Sequence, residues 1–302
     1  MTRDIYVQAR ADHIASLARA TPLSAVEELV WNALDADARE VRIDLVQNAL
    51  GGVDEIRVAD DGCGIDILRV EDTFGALGGS WKREEGAATA RARRRLHGRH
   101  GCGRFKAFAL GTHVTWRTTM RAGDELLSYA LEGDAAEPGV FRIHETPTGP
   151  APGTEVAVTG VRAAADALTA PGPAVQALAA KFALYLKAYP DVRIWFCGIP
   201  VSPVIVQKAA ATYEVRLDGG PSARLEVIEW RRKFPGRGRI VFCGQGGFTL
   251  HERPSGVRSG LPFSYTAYLV GGRFGALAAE NALVMDELHP EVRAWLDAAP
   301  KA

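Results

Sequence analysis

Glu27-Glu28-Leu29-Val30-Trp31-Asn32-Ala33-Leu34-Asp35-Ala36-Asp37 is the stretch whose reading decides the fold. Wound as a helix, it puts Glu28, Asn32 and Asp35 on one stripe, because residues three, four and seven apart share a face. Val26, Leu29, Val30 and Ala33 fall mostly on the other side, giving one buried and one polar face. A carboxylate one turn before a carboxamide can hold a water beside Mg²⁺, which keeps several waters and takes only one or two protein oxygens plus substrate phosphates. A solvated helix face satisfies the same pattern, so the rest of the chain has to decide between them.

Working outward, Thr21-Pro22-Leu23-Ser24 supplies helix-start chemistry, and with Ser24 as N-cap the spacing predicts a helix over about Ala25 to Ala38. Val41 to Val46 alternates as a strand, Gly51-Gly52 is a turn, and Glu55 to Ala59 is a second strand. That strand runs into Asp60-Asp61-Gly62-Cys63-Gly64-Ile65, where two acids and two glycines bring a carboxylate and bare backbone close to a ligand, or form an ordinary turn. From Phe74 to Leu96 the chain is rich in Gly, Ala and charge, with the basic run Arg91, Arg93, Arg94 and Arg95; such a run is a solvated face or clasps phosphates. Gly98-Arg99-His100-Gly101-Cys102-Gly103-Arg104-Phe105-Lys106 then opens a helix and offers a phosphate cradle, though neither the dinucleotide fingerprint nor a P-loop.

Strands follow at Thr112 to Thr119, Leu126 to Leu131, Val140 to Glu145 and Thr154 to Thr159, making a mostly antiparallel sheet. The Ala- and Pro-rich stretch Ala163 to Pro173 marks a boundary, so we expect domains at 1–165 and 166–302. The second half reads as helix Ala174 to Tyr189, strands Val192 to Phe196, Thr212 to Leu217, Ala223 to Trp230, Arg239 to Cys243 and Phe263 to Val270, and a closing helix Asn281 to Leu296. The fold class is α+β.

The 302 residues, 47% hydrophobic and 24% charged, describe a globular chain. Lys plus Arg (36) equals Asp plus Glu (36), so no global charge advertises nucleic acid or an anionic membrane. Cys63, Cys102, Cys197 and Cys243 form no CxxC pair, which argues against zinc and against a disulfide framework and suits a reducing, cytoplasmic setting. No apolar run approaches a membrane span, and no membrane partner is expected.

Acid and Asn on a helix, Asp-x-Gly-x-Gly after a strand, and a Gly-rich loop opening a helix, in that order, resemble the GHKL superfamily. Its members include gyrase B, the ninety-kilodalton heat-shock chaperones, histidine kinases and MutL. Gly153-Thr154-Glu155-Val156 is similar to the late strand of that family. The resemblance implies a Bergerat-type ATP-binding α/β sandwich followed by a ribosomal-S5-like transducer domain, with ATP and Mg²⁺ as ligands.

Position by position, it implies that Glu28 orients and deprotonates the attacking water, that Asn32 is the metal ligand, and that Asp35 supports the site by hydrogen bonding. Asp60 would accept the adenine amino group and Thr154 would close the base pocket, while Gly62 and Gly64 let backbone lie against the base. Gly98, Gly101 and Gly103 would bend a lid over the triphosphate, flanked by Ser80 and Phe105. Lys106, then Lys82 and Arg104, are the candidate phosphate contacts, and Lys233, Arg253 or Arg258 the transducer cation. Trp31 stands where several relatives carry a second acid, and Asp61 where many carry Asn; His97, His100 and Cys102 are assigned no chemistry.

The Ser80-Trp81-Lys82 segment is most similar to the MORC and heat-shock-chaperone branch. The function implied is a Mg²⁺-dependent ATPase that forms a homodimer as ATP closes the lid, with the first 20 residues exchanged as a strap. Bacterial DNA transactions or phage defence are its setting by analogy. Two alternatives stay open: a nucleotide-gated scaffold with negligible hydrolysis, and a nucleic-acid clamp built on Arg91 to Arg104.

Overall fold

The computed structural model describes residues 18–75, 89, 94, 96, 103–217, 220–233, 238–256 and 263–301. The opening helix, α1, runs over Pro22–Asp35, so it starts at Pro22 rather than Ala25. The cap is Thr21, whose hydroxyl accepts the Ser24 N–H at 3.2 Å, and Pro22 takes a first-turn position where its missing N–H costs nothing. Its buried side holds Ala25, Val26, Leu29, Val30, Trp31, Ala33 and Leu34. Each large side chain so buried contributes about 1.5–3 kcal/mol of transfer free energy, which is what fixes the polar stripe outward. The helix ends at Asp35, and Asp37 turns the chain with φ of 64°.

The strands β1 (Glu40–Gln47) and β2 (Val53–Asp60) form the expected hairpin. Asn48 builds its turn: Oδ1 accepts the N–H groups of Leu50 and Gly52 at 3.0 Å each, and Nδ2 donates to Asp54 at 2.8 Å. After β3 (Gly111–Ala122), β4 (Glu125–Asp134), β5 (Phe141–Glu145) and β6 (Gly153–Val161), the chain leaves through a helical segment and returns as β7 (Arg193–Phe196) and β8 (Ile199–Pro200). Among the described residues these strands form one sheet in the order β5-β4-β3-β6-β2-β1-β7-β8. Among the described strands of this sheet, only β1 and β7 pair in parallel.

That pairing corrects the reading of Val192 to Phe196 as part of the second half. Ile194 sits opposite Val41 and Phe196 opposite Ile43, all four buried, so β7 extends the apolar face of β1. A parallel partner arrives only after a long crossover, so no local pattern announces it. The compact units accordingly divide as 1–174 with 191–200, and 175–190 with 201–302. The sequence reading had a single cut at 165/166.

In the second unit, β9 (Gln207–Arg216), β10 (Ser222–Trp230), β11 (Arg239–Cys243), β12 (Thr249–Pro254) and β13 (Ser264–Val270) form a sheet ordered β12-β11-β13-β10-β9. Phe242, Leu269, Phe274, Leu283 and Trp295 centre its core. The edge strand β12 was not anticipated; Thr-Leu-His-Glu-Arg-Pro is polar and only partly buried, so alternation does not mark it. The helix expected over Ala174 to Tyr189 is two helices, Pro171–Lys181 and Ala183–Ala188, broken at Phe182. The closing helix is likewise broken: Asn281 and Asp286 have positive φ, and Pro290 starts a fresh helix, Pro290–Ala298. Among the described residues, no helix is long and apolar enough to cross a membrane.

Candidate functional site

Glu28 projects from α1 onto a short helix, Gly103–Ala109, that precedes β3. Lys106 Nζ donates to Glu28 Oε2 at 2.8 Å, joining residues 78 apart in sequence. The helix expected after the Gly-rich loop is a seven-residue 3₁₀ segment. In a 3₁₀ helix residues three apart eclipse, so Gly103 and Lys106 share one face while Phe105 and Phe108 share the buried one. A methyl group at Gly103 would overlap the Glu28 carboxylate where it stands, so the glycine leaves room for that carboxylate to reach Lys106. Arg104 is buried, with its guanidinium 4.3 Å from the Phe105 ring centroid and 5.9 Å from that of Phe74. Asn32 and Asp35, on the same stripe as Glu28, are each half-buried.

The second cluster lies at the end of β2. Asp60 faces Thr154 of β6 in register, and Thr154 faces Thr118 of β3. Asp60 Oδ1 accepts the Gly62 N–H at 2.8 Å. Burial pushes the Asp60 carboxyl up to about 7, against the pull of the Gly62 and Thr154 N–H groups; the nearby Asp61 charge adds to the rise. Asp61 itself caps the start of β1, its Oδ1 accepting Arg39 N–H at 2.7 Å and Glu40 N–H at 2.8 Å.

Gly62 packs against α1: a Cβ there would stand 2.7 Å from the Ala36 carbonyl oxygen, the same oxygen that accepts Cys63 N–H at 2.7 Å. Gly64 has φ of 76°, and a side chain on it would overlap the Thr119 carbonyl. The close approaches these two glycines make in this structure are therefore to protein backbone. Thr154 is buried, with its hydroxyl 3.1 Å from that of Thr118.

Ser80, Lys82, Gly98, Gly101, Arg258 and residues 1–17 of the expected strap lie outside the described residues. Of the other second-unit cations, Lys233 is exposed, whereas Arg253 is bonded to Asp286 and, at 2.9 Å, to Glu287.

Sequence reasoning missed two groups. Arg94, read within a basic run, is only 2% exposed: its Nε lies 3.6 Å from Asp37 Oδ1, itself 4% exposed, and its Nη2 donates to the Ala38 carbonyl at 2.8 Å. Thr89 completes this anchor by accepting Arg94 N–H at 2.9 Å. The signal available was Asp37, an acid just past the helix end with nothing in the motif to employ it. Thr118 is the other, a polar residue at a position where the alternation of β3 turns inward.

Residues 20–142 match the family described as histidine kinase-, DNA gyrase B-, and HSP90-like ATPase. The matched residues lie within the first unit and support a GHKL-superfamily reading of it. Its eight-stranded sheet with α1 on one face fits the Bergerat-type α/β sandwich, and the second sheet fits a following α+β domain. The chain is also similar to two proteins named DNA mismatch repair protein MutL. One, from Halalkalibacterium halodurans, is 51% identical over 53 residues, 18% of this chain and 8% of that protein. The other, from Desulforudis audaxviator, is 56% identical over 45 residues, 15% of this chain and 7% of that protein. The chain is thus matched to less than a tenth of the length of either relative.

Proposed function

We propose that the first unit binds ATP between α1, the Asp60 loop and the Gly103–Ala109 helix, and hydrolyses it to ADP and phosphate. The observation that carries this reading is the meeting of Glu28, Gly103 and Lys106, which joins the first and third motifs over one carboxylate. In this account Asp60 and Thr154 take the base. Glu28 accepts a proton from the attacking water as its oxygen bonds to the γ-phosphorus and the ADP oxygen leaves, and Lys106 offers positive charge beside it.

Among the described residues no group of three or more His, Cys, Asp or Glu forms a self-sufficient metal site. A single carboxamide, Asn32, suits Mg²⁺, which would be held largely by phosphate oxygens and would neutralise their charge.

The finer reading extends this module to a nucleotide-dependent homodimer of the MORC-like and chaperone-like kind, strapped by the N-terminal segment, with the second unit as transducer. DNA transactions or phage defence enter as settings by analogy. One observation favours the second reading, a nucleotide-gated scaffold with negligible turnover: the Glu28 carboxylate is already engaged by Lys106. The clamp reading is weakened, because Arg94 and Arg104 are both buried. Steady-state phosphate release separates the first two. We expect Glu28→Gln to lower it at least ~100-fold, the usual range for loss of a general base. Equal rates in wild type and variant would leave only the scaffold.

A further inference from the structure

We infer that Thr118, on β3, is a positioning residue for the nucleotide base: its hydroxyl ties Thr154 to the backbone of the Asp60–Ile65 loop, so that the base-reading groups act as one body. This rests on the ATP-binding reading above and adds a residue that none of the four motifs contains.

The register puts Asp60, Thr154 and Thr118 in one row across β2, β6 and β3. Thr118 is 3% exposed and Thr154 9%, so these two hydroxyls are nearly dry and must find protein partners. Thr118 Oγ1 accepts the Ile65 N–H at 2.9 Å, which fills one of its two acceptor sites. Its single proton then goes to the Gly153 carbonyl, 3.3 Å away, or to Thr154 Oγ1 at 3.1 Å.

The choice has a chemical consequence for Thr154. If Thr118 donates to Thr154, the Thr154 proton is left to donate to a ring nitrogen of the base. If Thr118 donates to Gly153, Thr154 donates to Thr118 and presents only lone pairs. Thr118 therefore sets the hydrogen-bonding polarity of the Thr154 hydroxyl and, through Ile65, the distance of the Asp60 loop from it.

The loop does not depend on this bond alone. Tyr129 Oη donates to the Ile65 carbonyl at 2.8 Å, and Gly64 packs against β3 through its missing side chain. Removing the Thr118 hydroxyl thus loosens the alignment and leaves the strand and loop attached.

The test is the ratio of affinities for ATP and inosine triphosphate, which differ in the group on purine C6, measured by calorimetry with Mg²⁺ on the full chain. A ratio within one protein is unmoved by general loss of stability. In Thr118→Val, which keeps the shape without the hydroxyl, the preference for ATP should fall about tenfold, the loss of roughly one buried hydrogen bond. Thr118→Ser, which keeps the hydroxyl, should restore it to within about twofold, an energy difference well below one such bond. A wild-type ratio in Thr118→Val, or an equal fall in Thr118→Ser, overturns the inference; Thr118→Ala carries the same comparison if the valine variant does not fold. Failure of wild type to bind ATP at all would instead strike the reading underneath. A collapse of the ratio in Asp60→Asn with none in Thr118→Val would refute the role of Thr118 alone.

Discussion

Asp60→Asn should make the first unit less sensitive to pH in a calculable way. Burial moves the Asp60 ionisation from 3.8 to about 7, so the folded chain holds this proton more tightly than the unfolded chain does. The stability it contributes is fully present below about pH 4, declines as pH rises, and is gone above about pH 7, where both states are ionised. At about 1.4 kcal/mol per pH unit, the whole effect is at most about 4 kcal/mol, and about 3 kcal/mol falls between pH 4.5 and pH 8.

Asparagine keeps an oxygen for the Gly62 N–H and does not ionise, so it should gain on wild type by that amount across the interval. Other titrating groups are shared and cancel in the difference. Hydrogen exchange of the β2 and β6 amides reads the first unit separately from the second, which matters because a two-unit chain has no single unfolding free energy. A wild-type minus variant difference that stays constant from pH 4.5 to pH 8 would refute the reasoning, because it would mean that the carboxylate is not held in a poorly solvated place.

Gly103→Ala should force the Glu28 carboxylate away from Lys106, lowering the thermal midpoint through an overpacking cost of about 1–3 kcal/mol and reducing phosphate release. Unchanged values of both would show that the carboxylate relocates freely. Arg94→Met should destabilise the first unit by about 3–5 kcal/mol in urea, because it removes the buried guanidinium that faces Asp37. Adding Asp37→Asn, which tolerates the left-handed backbone there, should recover most of the loss, and failure to recover would mean that packing and not charge carries the anchor.

The polar stripe of α1 was legible because period and composition agree: Val26, Leu29, Val30 and Ala33 are buried as the spacing requires, with Glu28 and Asn32 left on the other side. Trp31 was less legible, since its burial depends on which neighbours surround the helix. The hairpin β1–β2 was readable from alternation and its glycine turn for the same local reason.

What stayed hidden depends on distant partners. Ile194 and Phe196 look like any short strand until β1 is beside them, and Arg94 looks like its basic neighbours until Asp37 is seen under it. Lys106 is singled out by its charge and its place early in the phosphate-facing helix, but its bond to Glu28 follows from the 3₁₀ geometry that aligns it with Gly103, and the residue pattern does not distinguish that from an α-helix.

The most direct test of the account is calorimetric titration of a Mg²⁺-bound non-hydrolysable ATP analogue into the full chain and into Asp60→Ala. We expect saturable one-site binding by the wild type, weakened at least about tenfold in the variant, which loses the buried hydrogen-bonding carboxyl for the base. Absence of binding by the wild type, or equal affinity in both proteins, would contradict the claim that this unit reads ATP through the carboxylate at the end of β2.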